Sequence, residues 1–329
     1  MEDHAENIRV GFIGCGSHSG ENIYPALRPA GLELAAVCDI NSQAAKDRAA
    51  EYNLDNFYTD FRDMCRAEDL DAVLVTVGPE VHYKCAMALV QAGHHVWTEK
   101  PCSVTAAQAD EMVNAGQRNG KIIQTGFNYR YTIGIQKAVS LIRSGRFARS
   151  GSVRVHWWLG DPDPVHFWHH YMVHAVDLLL YLAGAGLAMT HAEHQVRDGR
   201  DYYLATFRTP DNDLVLLDLS NGMPIEGHWA RVEWHSADGI LSVDDFTLVN
   251  HYQAHGTEQD SPYHGDHIWR TESMFKKSPF MRTWGYVPEL ILFREAVRGV
   301  RKPEATIAEA AWGMHVCERL LAMNEGRED

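Results

Sequence analysis

The chain has 329 residues, of which 45% are hydrophobic, 10% aromatic and 22% charged, which excludes a disordered, collagen-like or disulfide-scaffold protein. At roughly 150 residues per domain the length accommodates about two domains, each able to bury its own core. Lys and Arg number 30 against 44 Asp and Glu, a formal net charge of −14, which argues against nucleic-acid and anionic-membrane partners because phosphate affinity rests on accumulated positive charge.

In chain order, residues 8–13, 34–38, 72–76, 95–98 and 121–125 are short apolar runs that predict strands buried on both faces. Amphipathic segments at 42–52, 80–92 and 105–119 predict the helices between them, the last closed by Gly120. Alternating β and α at this spacing means a parallel sheet with right-handed crossovers and a binding crevice at the carboxyl ends of its strands. Beyond about residue 150 the pattern changes to half-exposed strands at 153–158, 202–209, 214–220, 231–235 and 240–243. Turn signals such as Pro210-Asp211-Asn212-Asp213 and Ala237-Asp238-Gly239 separate them. This predicts one large, mostly antiparallel sheet, with a helical stretch near 166–183 on one face and the other face free for substrate or another subunit. Residues 255–285 read as loop, and helical patterns at 287–300 and 306–323 follow.

Six cysteines (Cys15, Cys38, Cys65, Cys85, Cys102 and Cys317) show no C-x-x-C pair, which is the usage of free thiols in a reducing compartment. The first residues, Met1-Glu2-Asp3-His4, lack the charge pattern of a signal peptide, and the apolar stretch Leu178 to Met189 is too short to span a bilayer. The expected location is cytoplasmic.

Three features carry chemistry. The first strand runs into Gly14-Cys15-Gly16-Ser17-His18-Ser19-Gly20. Gly14 permits a tight turn, and Gly16 lets backbone N–H groups approach a pyrophosphate; Ser19 stands where G-x-G-x-x-G has its third glycine. Asp39, at the end of the second strand, can accept hydrogen bonds from an adenosine ribose and repels a 2′-phosphate, so NAD is favoured over NADP; a helix N-cap is the plainer alternative. The second feature is Glu99-Lys100-Pro101 at the end of the fifth strand. Lysine there can stabilise charge on a substrate oxygen, whereas an ordinary surface ion pair is the bland reading. The third is the cluster His166, His169, His170 and His174 with Asp177, drawn from 19 histidines in all. With Asp163 as cap and Pro164 in the first turn, residues 166, 170, 174 and 177 share one helical face. Imidazole is the natural general base near neutral pH. A zinc site and satisfied core histidines are the competing readings, the latter expected of His169; no metal is the working expectation.

Together these residues resemble the glucose–fructose oxidoreductase / inositol dehydrogenase / MocA family along essentially the whole chain. The G-x-G loop, Thr76 with Pro79-x-x-His82, Ala92-Gly93 before Val96, Glu99-Lys100-Pro101, Gly126-Phe127-Asn128-Tyr129-Arg130 and His174-x-x-Asp177 match in order and spacing. The resemblance implies an N-terminal Rossmann domain with a doubly wound parallel sheet, then an α/β domain with a large open sheet. The expected boundaries are 1–128 for the NAD-binding domain and 129–329 for the substrate and oligomerisation domain, with helix 306–323 packing back on the first. It implies cofactor contacts from Gly14, Gly16, Ser17, His18, Asp39, Thr76, His82, Glu99, Lys100 and Asn128. It also implies catalysis by Lys100 and His174 supported by Asp177 and His170, and substrate contacts from Lys100, Tyr129, Arg130, Trp168, His170 and His174. Two departures stand out. The family aspartate four residues before the histidine is His170 here, and a glycine-rich approach is replaced by His166-Phe167-Trp168-His169-His170-Tyr171.

The expected function is hydride transfer between NAD and a ring secondary alcohol of a sugar, cyclitol or polyol, in a homodimer or homotetramer built on the open sheet face. Two alternatives stand beside it: an enzyme that recycles bound NAD while cleaving glycosides or epimerising, and a non-catalytic NAD(H)-sensing subunit. Trp157, Trp158 and Trp168 offer ring faces for stacking on a sugar, or are simply core.

Overall fold

Short aliphatic runs build the first sheet. Strands β1 (Ile8–Ile13), β2 (Leu32–Cys38), β3 (Phe57–Tyr58), β4 (Ala72–Val75), β5 (His95–Thr98) and β6 (Ile123–Thr125) lie parallel in the order β3-β2-β1-β4-β5-β6. Val10, Phe12 and all of β4 are fully buried, which is why these strands read as continuous apolar runs rather than as alternation. The strand order reverses between β1 and β4, the position where open α/β sheets bind ligands. The computed structural model describes residues 7–148, 151–160, 167–223, 228–253, 267–270 and 284–325.

After β1 the glycine turn leads into a π-helical turn at Ser19–Ile23 and then α1 (Tyr24–Leu27). The later crossovers are α2 (Ser42–Glu51), α3 (Phe61–Ala67), α4 (Pro79–Gln91) and α5 (Ala106–Asn119). Local chemistry sets their ends. The Asn41 side chain caps α2 by accepting from the N–H groups of Gln43 and Ala44, and Thr105 caps α5, which stops at Gly120 in the left-handed region.

The second sheet contains β7 (Ser152–Leu159), β8 (Ala188–Arg197), β9 (Arg200–Arg208), β10 (Leu214–Ser220), β11 (His228–Ser236), β12 (Gly239–Asp244), β13 (Leu248–Gln253) and β14 (His267–Arg270). Their order is β14-β13-β12-β11-β7-β10-β9-β8, antiparallel except for the pair β7 and β10. Val153, Val155 and Trp157 point into a core under α6 (Ile133–Arg143) and α7 (Val173–Ala183), while Trp158, Leu204 and Tyr252 stand on the opposite, exposed face. Helices α8 (Tyr286–Val297) and α9 (Ile307–Glu325) end the described chain.

Three expectations change. The stretch expected as loop at 255–285 contains β14, and the rest of it before Trp284 lies outside the described residues. Strand β8 was not predicted because it lies at the sheet edge with mostly exposed polar side chains, so it lacks the apolar alternation. The chain separates into one compact unit of residues 1–127 with 286–314 and another of 128–285 with 315–329. The break lies beside the expected 128/129, and residues 307–314 of the helix expected to pack back on the first domain fall in that unit; α8, expected in the second domain, falls in the first as well.

Candidate active site

In the first unit, β1 ends at a turn that only glycine can make. Gly14 has φ of +105°, and a Cβ there would overlap the Thr76 carbonyl oxygen. At Gly16 a Cβ would meet nothing within 4 Å, so no protein atom requires glycine there and the space over its backbone is open. The replacement of the third motif glycine by Ser19 has a structural reason: its buried hydroxyl lies 3.0 Å from the carbonyl oxygens of both Gly14 and Gly16 and ties the turn closed. Ser17 and His18 are exposed at the rim of this turn.

Asp39 accepts the Cys15 N–H through Oδ2 and the Asn41 N–H through Oδ1, each at 2.8 Å. The N-cap of α2 is Asn41, so the capping reading of Asp39 falls away. Asp39 lines a cavity of about 530 Å³ with Ile40, Arg62, Val77, Gly78 and Val81. Exposed apolar side chains at Ile40, Val77 and Val81 suit the faces of an adenine ring, and sequence reading did not single them out. The Thr76 hydroxyl, at the end of β4, is buried with no partner among the described residues. A glycine turn with room over Gly16, a carboxylate at the end of β2 and an unsatisfied buried hydroxyl fit a dinucleotide.

Glu99 and Lys100 follow β5. Glu99 is buried; its Oε2 accepts the Lys100 N–H at 2.9 Å and its Oε1 lies 3.3 Å from His18 Nε2. Burial pushes the Glu99 carboxyl up, but the hydrogen bond and charge of His18, with Lys100, outweigh it and hold the group below the usual range. The same hydrogen bond raises the His18 imidazole. Burial lowers the half-buried Lys100 ammonium, against the pull of Glu99, and the Lys100–Pro101 peptide is cis.

His82 was expected to touch cofactor, but its ring is committed elsewhere. Nε2 accepts the Val77 N–H at 3.0 Å, so Nδ1 carries the proton and donates to the Pro101 carbonyl at 2.9 Å. Burial lowers its pKa, in keeping with a neutral ring that braces the loop after β4 against the turn after β5.

In the second unit, His174 on α7 is buried among aromatic rings. Tyr129 meets it edge-on at 4.7 Å between centroids, and Trp157 lies parallel at 6.3 Å. Phe246 and Trp284 also pack on Tyr129, at 4.5 and 5.8 Å. Phe246 holds a left-handed backbone (φ +62°), its carbonyl accepting the Gly134 N–H at 2.9 Å. A strained residue of this kind persists where packing over-determines it. Asn128, expected at the cofactor, donates its amide N–H to the Trp284 carbonyl at 2.8 Å.

Arg130, expected among the substrate contacts, is buried, with Nε donating to Asp177 Oδ2 at 2.7 Å and Nη2 to Oδ1 at 2.5 Å. The single helical face expected of the histidines also changes. A π turn at Trp168–Met172 breaks the four-residue spacing before α7, and His170 is exposed while His174 and Asp177 are buried. Trp168 is half-buried, Trp157 is core, and Trp158 donates its indole N–H to Asp218 on the exposed sheet face. Asp163, Pro164 and His166 lie outside the described residues, as does the side chain of His169. Among the described residues no group of three or more His, Cys, Asp and Glu is placed to hold a metal ion.

Comparison with known proteins now decides the family. The model of an oxidoreductase family with an NAD-binding Rossmann fold matches residues 8–127. Inositol 2-dehydrogenase of Salmonella paratyphi B is 30% identical over 227 residues, 66% of this chain and 66% of that protein, just under two thirds of its length. Inositol 2-dehydrogenase of Burkholderia lata is 27% identical over 280 residues, covering 77% and 78%. The chain belongs to the glucose–fructose oxidoreductase / inositol dehydrogenase / MocA family. A crystal structure of a dehydrogenase from Chromobacterium violaceum shares the fold, with a TM-score of 0.86 at 19% identity over 96% of this chain and 95% of that one. As a family member the chain binds NAD on its six-stranded parallel sheet, the α/β architecture expected from sequence. No helix among the described residues is long and apolar enough to cross a membrane.

Proposed function

We propose that the protein is an NAD-dependent oxidoreductase that interconverts a ring secondary alcohol and its ketone on a sugar, cyclitol or related polyol, with NADP the weaker coenzyme. The observation that carries the reading is the grouping in the first unit of an uncrowded Gly16, Asp39 braced on the glycine turn, and Lys100 beside Glu99, whose carboxylate accepts the Lys100 main-chain N–H. The named relatives, both inositol 2-dehydrogenases, support a polyol substrate. NAD supplies the hydride acceptor. In this reading Lys100 holds the substrate oxygen and stabilises the charge it gains, and His174 removes the hydroxyl proton, its ring orientation set by Tyr129 and Trp157. Asp177 positions α7 through Arg130, while the exposed His170, with Tyr129 and Trp168, is left to the outer hydroxyls of the substrate. Gly14, Gly16, Ser17, His18 and Thr76 face the coenzyme.

Exposed Trp158, Tyr202, Leu204 and Tyr252 on one sheet face support a homodimer or homotetramer assembled there, which light scattering on the purified protein measures. Six free cysteines, five of them buried, support a cytoplasmic location. Sugars and cyclitols are screened by NADH absorbance, and Lys100→Met and His174→Asn are then assayed on the best substrate. Each variant is expected to lose at least about 100-fold in turnover, the scale of a positioned acid–base group, while binding NADH as before. Wild-type turnover in either variant refutes its assignment.

A further inference from the structure

Arg48 has no part in the chemistry above, yet it is built into the glycine turn. It rises from α2 with its side chain 14% exposed, and its Nη2 lies 3.5 Å from the carbonyl oxygens of both Cys15 and Gly16. The guanidinium stands 4.7 Å from the centroid of the Tyr24 ring, and Nη1 donates to Glu51 at 2.6 Å. Gly20 is the complement of this placement, because a Cβ there would overlap Nη2. The carbonyl of Gly14 is taken by hydroxyls, Ser19 at 3.0 Å and Tyr24 at 3.4 Å, and that of Gly16 is shared by Arg48 with the Ser19 hydroxyl and the Gly20 N–H, each at 3.0 Å.

A trans peptide carries its C=O and N–H on opposite sides. Drawing the carbonyls of Cys15 and Gly16 toward the guanidinium therefore turns the N–H groups of Gly16 and Ser17 away from it. We propose that Arg48 is a positioning residue for the coenzyme: it fixes the inner side of the glycine turn so that the N–H groups of Gly16 and Ser17 are aimed in advance at a pyrophosphate, and it places a cation behind them. Preorganised donors backed by positive charge bind an anion without a reorganisation cost at the moment of binding. The inference rests on the NAD reading and deepens it, assigning part of the affinity to a residue outside the motif.

The test compares ADP-ribose with adenosine, which lacks the pyrophosphate but keeps the ribose that Asp39 would hold. Affinities are measured by calorimetry and ligand-observed NMR for wild type, Arg48→Met, Arg48→Lys, Gly20→Ala and the double variant Gly20→Ala/Arg48→Met. Arg48→Met is expected to weaken ADP-ribose about tenfold, the worth of one charge-assisted hydrogen bond, and adenosine by less than twofold. Arg48→Lys should recover part of the loss, since it keeps the charge but not the fork. Gly20→Ala should copy Arg48→Met, because its methyl group displaces the guanidinium, and the double variant should be no worse than Arg48→Met alone. The proposal is overturned by unchanged ADP-ribose affinity in Arg48→Met, by equal losses for ADP-ribose and adenosine, or by additive losses in the double variant. A wild-type protein that binds neither ligand removes the NAD reading itself, and this inference with it.

Discussion

Asp177→Asn is a sharp test of how the second unit is held. The substitution keeps the shape of the side chain and removes its charge, leaving Arg130 buried without its counter-ion. The pair is bidentate, at 2.7 and 2.5 Å, with side chains only 1% and 3% exposed, so water cannot take over the lost contact. Removing one partner of a buried pair costs about 3–5 kcal/mol. The Tyr181 ring, 5.2 Å from the guanidinium, retains roughly 1 kcal/mol of attraction and places the expectation near the lower end, about 3 kcal/mol. At about 2–4 °C per kcal/mol for a unit of this size, the calorimetric melting temperature should fall by about 6–12 °C. Replacing both partners by apolar residues, Arg130→Met with Asp177→Leu, should recover more than half of the loss, because no unpaired charge remains. A single variant that melts within 2 °C of wild type, the interval below which ~1 kcal/mol cannot be resolved, would refute the reasoning and return Asp177 to direct substrate contact.

Asp39→Ser should weaken NAD about tenfold or more and NADP far less, collapsing the preference between them; titration with both coenzymes checks this, and an unchanged ratio removes Asp39 from the ribose. His18 and Glu99 set a pH window. Glu99, lowered in the fold, contributes stability above the unfolded carboxylate range and loses it as pH falls through its folded value, whereas His18, raised, contributes in full below about 6.5 and loses it as pH rises through its folded value. The melting difference between wild type and His18→Gln should therefore be largest between roughly pH 4.5 and 6.5 and shrink at higher pH. With His18 half exposed the effect is small, and a difference that grows above pH 8 contradicts it. His82→Leu leaves the Val77 N–H and Pro101 carbonyl unpaired, at about 1–3 kcal/mol each; urea unfolding should register several kcal/mol, and less than about 1 kcal/mol would show that water replaces the ring.

The first unit was legible because a parallel sheet buries its strands on both faces and writes them as apolar runs; β1 and β5 have the predicted limits. The glycine turn and Asp39 could be read because each motif position has one dominant physical use. Arg48 was not legible. It sits more than thirty residues from Cys15 in sequence, on a helix whose polar face looks like any solvated face, and Gly20, its one local trace, passes for turn punctuation. Arg130 and Asp177 were singled out, but not as a pair, because nothing in the spacing of two motifs 47 residues apart says that they meet. The histidine face failed for a different reason. A four-residue spacing assumes an α-helix, and the π turn at Trp168–Met172 changes that period without a signal in the residue types.

Charge balance in the two units bears on the substrate. In the first, the Glu99 carboxylate is offset by His18 and stands beside Lys100, whose pKa burial lowers against the pull of Glu99. In the second, Arg130, expected among the substrate contacts, is paired with Asp177. A phosphate or carboxylate on the substrate would therefore give up its water for residues whose charge is already paired, inside a chain of net charge −14. Hydroxyl groups lose less on entering such surroundings and find donors and acceptors among lysine, histidine and tyrosine side chains. Neutral ring polyols should accordingly exceed their phosphorylated counterparts by at least about tenfold in kcat/KM, the worth of roughly one unpaired charged contact. A phosphorylated sugar turned over faster than its parent would mean that Arg130 leaves Asp177 when substrate binds, and the buried pair would then be a switch rather than a brace.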